Sequence, residues 1–310
     1  MDKRLLLLLF FPLSLFADYG WIPRYQNLIF KGGMDYYSTS DNFSDNGDIV
    51  AVTYLSTPMK LTRFNFWLDP EYSFARDWSA SLRLGFYTQN LTAESGAAVG
   101  NTVLSGSGLE DFRLSTKWRL MKKPVLTLET MARIPIASSS PQDANSLIGG
   151  DGIFDVGMLL HAGMIARPMY FSLSPGFRLR PGGYASQFLL QSAVGVMFRK
   201  GYVRLFTDLA ISPGDLDAST TQNTALGSGG TFALHALSSS NFSIGFKTGL
   251  NFLDTYKLEV AVSKAVWGSR APNYFLFTVG IAKTIDFYEP EMKIKVEEVP
   301  FDTEVVDPNN

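Results

Sequence analysis

The chain contains no cysteine, which removes disulfides, thiolate metal sites and thiol catalysis together. Histidine is almost missing as well: His161 and His235 are its two copies, too few for a histidine-rich metal centre. Charge is sparse and nearly balanced, with charged residues at 18% and a formal net charge of −2. Such a balance argues neither for nucleic acid nor for an anionic surface as a partner. After residue 17 there is no apolar run long enough for a transmembrane helix, and helical periodicity is hard to find anywhere.

What is present starts with a leader. Lys3 and Arg4 form a short basic region, Leu5 to Leu15 an apolar run, and Leu15-Phe16-Ala17 a small-residue exit before Asp18. This is the pattern of a secretory signal peptide over residues 1–17, cleaved after Ala17. The apolar run is too short to remain as a spanning helix. With no cysteine after the cleavage point, lipid attachment there is excluded.

The rest of the chain is rich in aromatics, at 14%, and alternates with a period of two. In Asp111 to Met121, Phe112, Leu114, Thr116, Trp118 and Leu120 share one face, while Asp111, Arg113, Ser115, Lys117 and Arg119 share the other. That period places the two sets on opposite sides of a sheet. The segment 126–136 repeats the pattern, with Glu129 and Arg133 on the polar side. Ten further strands are read near 26–38, 60–75, 78–90, 152–165, 169–180, 184–199, 201–212, 240–253, 255–267 and 273–287. Most exceed the roughly 9–11 residues that a tilted strand needs to cross a bilayer.

Connections alternate in length. Short links fall at 75–77, 121–124, 166–168, 199–201 and 253–255. Mostly longer polar loops lie near 39–59, 90–108, 137–151 and 213–239, with Pro181-Gly182-Gly183 and 268–272 as shorter exceptions. Short periplasmic turns alternating with longer outer loops are the habit of outer-membrane barrels. Aromatics on the apolar face beside the short turns (Phe74, Trp78, Trp118, Phe171, Phe198, Phe252, Tyr256 and Phe287) make one interfacial belt. Phe64, Phe66, Phe86, Phe188, Phe275 and Phe277 make the other. The opposite parity is polar and points inward: Arg63, Glu71, Arg83, Arg113, Lys117, Arg119, Glu129, Arg133, Arg178, Arg180, Lys247 and Glu259 are the main candidates to line a lumen. On the lipid side each charge would cost roughly 2–4 kcal/mol at the midplane. Lys264 and Lys283 break the parity, and Lys283 is near enough to the periplasmic end to snorkel.

These patterns predict an all-β chain: a transmembrane antiparallel up-and-down barrel of about 12 strands, with 10 or 14 as alternatives. The expected organisation is a signal peptide at 1–17, a periplasmic arm or lumen plug at 18–27, the barrel at 28–288 and an acidic periplasmic tail at 289–310. The expected location is the outer membrane of a Gram-negative bacterium. Lipid, lipopolysaccharide and the barrel-assembly machinery follow as partners, with a small-molecule solute of unknown identity.

Other chemistry is weakly supported. Gly149-Gly150-Asp151-Gly152 opens a strand and not a helix, so it offers no phosphate cradle. Asp143, Asp151 and Asp155 are not spaced as a calcium ligand set. His161 has lumen parity, and His235 lies near Ser238, Ser239 and Ser240, but neither sits in a recognisable hydrolase motif. No cofactor, no metal and no enzyme activity are expected.

Three segments carry a family resemblance. They are Gly108-Leu109-Glu110-Asp111-Phe112-Arg113-Leu114-Ser115-Thr116-Lys117-Trp118-Arg119-Leu120, the strand end Arg133-Ile134-Pro135, and Gly150-Asp151-Gly152-Ile153-Phe154-Asp155-Val156-Gly157. Together they resemble outer-membrane proteins associated with the meta-pathway of phenol degradation, relatives of the FadL-type channels. Ile136-Ala137 after Pro135 and the acidic tail depart from that pattern. The resemblance implies passive uptake of small hydrophobic or aromatic compounds and transfers no binding residue. Two alternatives stand beside it: a closed structural or adhesive barrel acting through its outer loops, and an outer-membrane hydrolase.

Overall fold

The computed structural model describes residues 22–54, 57–94, 101–136, 147, 152–213, 239–252 and 255–287. The expected signal peptide, residues 18–21 of the expected arm or plug, the expected acidic tail and the loop bearing His235 lie outside the described residues.

The alternation builds a closed antiparallel barrel of 12 strands. They are β1 (Asn27–Thr39), β2 (Thr57–Ala75), β3 (Trp78–Ala93), β4 in two segments (Thr102–Leu109 and Phe112–Lys122), β5 (Val125–Ile134), β6 (Asp155–Ala166), β7 (Met169–Leu179), β8 (Gln187–Phe198), β9 (Gly201–Ile211), β10 (Ser240–Phe252), β11 (Tyr256–Ser269) and β12 (Phe275–Asp286). Each strand pairs with the next in sequence. The ring closes where β1 meets β12, from Asn27 opposite Asp286 to Ser38 opposite Phe275. Closure matters because a membrane strand has no water to satisfy an open edge.

Two stretches expected as loops contain strands. Thr102–Leu109 pairs with the upper half of β3, Gln89 standing opposite Gly106, while Phe112–Lys122 takes the lower half. Its Ser105-Gly106-Ser107-Gly108 core has no apolar face, which is why periodicity does not reveal it. Residues 41–43 and 49–51 form an outer hairpin that also pairs with 271–272. Arg270 Nε donates to Asp45 Oδ1 at 2.7 Å and pins that hairpin to the β11–β12 link.

The two faces of the wall are opposite in character. Exposed large apolar side chains, among them Phe66, Phe86, Phe188, Leu205 and Ile281, stand on the outside. Buried polar and charged ones, among them Glu71, Lys117, Glu129, His161 and Arg204, stand on the inside. A water-soluble barrel has the reverse arrangement; this one needs lipid around it. Beside the short turns the rings touch in series. Tyr72 meets Phe287 edge-on at 6.4 Å, Phe74 lies 6.5 Å from Trp78, Trp78 stacks on Trp118 at 5.2 Å, and Phe252 lies 5.9 Å from Tyr256. Phe171 and Phe198 lie beside the short turns flanking β7 and β8, with Phe198 outward and exposed. The two parity-breaking lysines are handled locally. Lys264 donates to the Asn273 carbonyl and side chain near the outer end, and Lys283 sits over the Tyr256 ring at 5.2 Å.

Inside, glycines make room for rings. A Cβ on Gly245 would fall 2.2 Å from the Phe206 ring, on Gly249 2.3 Å from Tyr202, and on Gly33 2.6 Å from Trp67. The rings therefore lie along the wall instead of crossing the barrel.

Candidate functional site

The lumen carries the chemistry, and it is layered. Toward the short turns the carboxylates belong to lysines. Glu71 accepts from Lys31 Nζ at 3.0 Å, Lys117 Nζ at 2.9 Å and Ser79 Oγ at 2.9 Å. Glu259 accepts from Lys247 at 2.9 Å, Lys257 at 2.7 Å and the Tyr202 hydroxyl at 2.8 Å. Asp69, directly opposite Lys31, adds a second carboxylate to the first cluster; the second has two lysines on Glu259. Arg119 sits lower still, bound to Asp77 of the β2–β3 turn at 2.8 Å.

The middle layer brings together three residues whose types suggest hydrolysis. His161 Nδ1 is 2.8 Å from Ser174 Oγ, and its Nε2 is 2.8 Å from Glu129 Oε2. Serine, histidine and an acid in one chain of hydrogen bonds is the constellation of nucleophilic hydrolases. The surroundings are wrong for it. Ser174 has no exposed surface and His161 has 2%, so a substrate carbonyl has no approach to the hydroxyl. The strands bearing them are paired on both sides, and amides committed to the ladder cannot stabilise an oxyanion. The arrangement satisfies buried polar groups and ties β5, β6 and β7 together.

The upper layer belongs to arginine. Arg83 pairs with Asp35 at 3.1 Å and covers the Trp67 ring at 4.8 Å. Arg63 pairs with Glu110 at 3.0 Å, donates to Asn65 at 2.7 Å, and covers Tyr87 at 4.5 Å. Arg133 lies 2.8 Å from Asp155 and 3.6 Å from Asp111. Arg180 reaches Asp155 at 3.7 Å and covers Tyr184 at 4.7 Å. Arg178 donates to the Gln187 side chain. Arg113 points into the lumen, is exposed, and makes no hydrogen bond or ion pair among the described residues.

The partners differ from those that sequence suggests. Parity leaves Asp69, Glu71, Glu129 and Glu259 as natural braces for the arginines. Register gives the three glutamates to Lys31, Lys117, Lys247, Lys257 and His161 instead, because they sit in the lower and middle layers. The arginines take Asp35, Glu110, Asp111 and Asp155. Glu110 escapes a parity reading because it falls in the break of β4, where its amide bonds the Gly85 carbonyl. Asp155 shares parity with His161, and that signal was available.

No family model matches the chain, and no curated protein matches it in sequence. Among solved structures, an outer-membrane channel from Pseudomonas putida F1 superposes with a TM-score of 0.65 at 12% identity, covering 87% of this chain and 98% of that one. The NanC porin (TM-score 0.48, 8% identity, 82% and 98% covered) and the P. putida toluene transporter TodX (0.45, 9%, 89% and 94%) are looser likenesses. The likeness to the first is one of fold.

Proposed function

We propose that this chain is an outer-membrane channel that lets small solutes, aromatic compounds among them, cross passively. The observation that carries the reading is the inverted wall: apolar outside, ionised inside, closed without an edge. Such a wall is stable only in a bilayer with a wet interior, since desolvated lumen charges without water or partners would be prohibitive. Twelve strands give an interior between the side-chain-filled eight-stranded barrels and the open channels of 16–18 strands, which suits narrow solutes. The resemblance to phenol-pathway channels and the fold likeness to an outer-membrane channel point the same way. On this reading the protein resides in a Gram-negative outer membrane.

The test is liposome swelling with the full-length protein and a size series of neutral and charged solutes. Swelling that falls off steeply with solute size is expected. Absence of swelling with every solute, in vesicles shown to hold folded barrel, would remove the channel reading.

One observation favours a second reading, a barrel closed at its outer end. Val52, Met59, Leu61, Leu91, Ala93, Leu104 and Leu147 form an apolar cluster beside the pinned outer hairpin. Swelling that appears only after deletion of residues 41–51 would support it.

A further inference from the structure

Three arginines stand directly opposite one another on adjacent strands. Arg83 of β3 faces Arg113 of β4, and Arg113 faces Arg133 of β5. Like charges directly opposite across a ladder are destabilising, so the row needs anions beside it. The outer two are in ion pairs, with Asp35 and with the Asp111–Asp155 pair. The central one is not: Glu110 and Glu129 act on Arg113 from a distance, but it is exposed to the lumen and has no hydrogen bond or ion pair among the described residues.

A second guanidinium in the same region has no ion pair among the described residues. Continuing around the wall, Arg133 faces Asp155 of β6, and Gly157, the next inward residue, faces Arg178 of β7. Gly157 has no side chain to fill the space beside Arg178. Among the described residues Arg178 donates only to the neutral Gln187 amide, and its Nε is a buried donor with no acceptor. Arg113, Arg133 and Arg180 are all near enough to act electrostatically on it, against the one carboxylate of Asp155. Their carboxylates are already shared: Asp155 serves Arg133 and Arg180 together.

Apolar groups adjoin this positive surplus. Met131, one inward step below Arg133, lies against the Gly157 position, and Leu159 lies against Gly176. Leu189 stands opposite Gly176 on β8. Forked guanidinium donors match a planar oxyanion, and apolar neighbours favour one that carries a hydrocarbon body.

We propose that Arg113 and Arg178 form a subsite for a small organic carboxylate in the upper lumen. The subsite rests on the channel reading for its purpose, since a solute held there is one on its way through. It makes the solute class amphipathic: an acid group for the arginine row and a short apolar or aromatic body for Met131 and Leu189.

The experiment uses full-length protein in detergent micelles, titrated calorimetrically with benzoate, with benzyl alcohol as the neutral analogue and with inorganic phosphate. Benzoate is expected to bind, and Arg113→Gln and Arg178→Gln are each expected to weaken it roughly tenfold or more, the loss typical of a hydrogen bond to a charged group. Benzyl alcohol binding should be weak and indifferent to both variants. In the absence of ligand, Arg113→Gln should melt no lower than the parent, because it relieves the like-charge row.

Benzoate affinity unchanged in both variants would overturn the proposal. So would a lower melting temperature for Arg113→Gln with binding intact, which would make Arg113 a brace. Phosphate binding as tightly as benzoate would overturn the organic part. Micelle binding does not depend on conduction, so absence of swelling combined with Arg113-dependent benzoate binding would sink the channel reading and spare the subsite.

Discussion

Glycine and aromatic residues set the inner contour one position at a time. At Gly33 a methyl group would stand 2.5 Å from the Val279 carbonyl as well as 2.6 Å from Trp67. The carbonyl is part of the β1–β12 seam and cannot swing away. Gly33→Ala is expected to cost about 1–3 kcal/mol, the range for overpacking a filled site, read as a lower urea midpoint in micelles. Gly182→Ala makes a useful contrast, since nothing lies within 4 Å of its Cβ and the strain there is that of φ at 82° alone. His161→Ala removes the partner of Glu129 and of Ser174. A loss of about 1.5–3 kcal/mol is expected for the bond to the charged acceptor, with no change in hydrolysis of ester substrates, because neither parent nor variant should show any. Measurable esterase activity lost in His161→Ala would contradict the structural role assigned to it.

Legibility in the sequence was highest for single elements and depended on which face met lipid. The β4–β5 hairpin could be read almost to its ends because Phe112, Leu114, Trp118 and Leu128 alternate cleanly with Arg113, Lys117 and Glu129. Thr102–Leu109 could not, since small residues on both faces carry no period. Membership of the inner face was legible for the arginines, yet their partners were not. Partnership depends on register and height, and a strand pattern fixes neither. The outward face allows a direct test of which side meets lipid. Leu205 of β9 is outward and 56% exposed; Leu205→Arg is expected to destabilise the inserted barrel by about 2–4 kcal/mol if it lies near the midplane. Unfolding from vesicles would measure it, and a neutral result would place Leu205 outside the membrane. The stacked Trp78 and Trp118 fall in the expected interface belt. Trp78→Ala should cost about 0.5–1.5 kcal/mol beyond the area it buries, and should reduce the blue-shifted part of the tryptophan emission.

At the scale of the whole molecule, strand number and closure follow from how the long loops are divided. The outer hairpin at 41–51 could have been counted as a strand pair of the wall. It is not one, because residues 41–43 and 49–51 pair with each other and with 271–272 outside the ring. The wall itself closes through β1 and β12. Single-channel recording in a planar bilayer tests directly whether the ionised interior conducts. The full-length protein should give discrete ohmic steps, with a reversal potential in a salt gradient that favours anions, as expected from the two lysines on Glu259 and from Arg113 and Arg178, which make no ion pair among the described residues. Folded, inserted barrel that passes no current at any voltage would contradict the account.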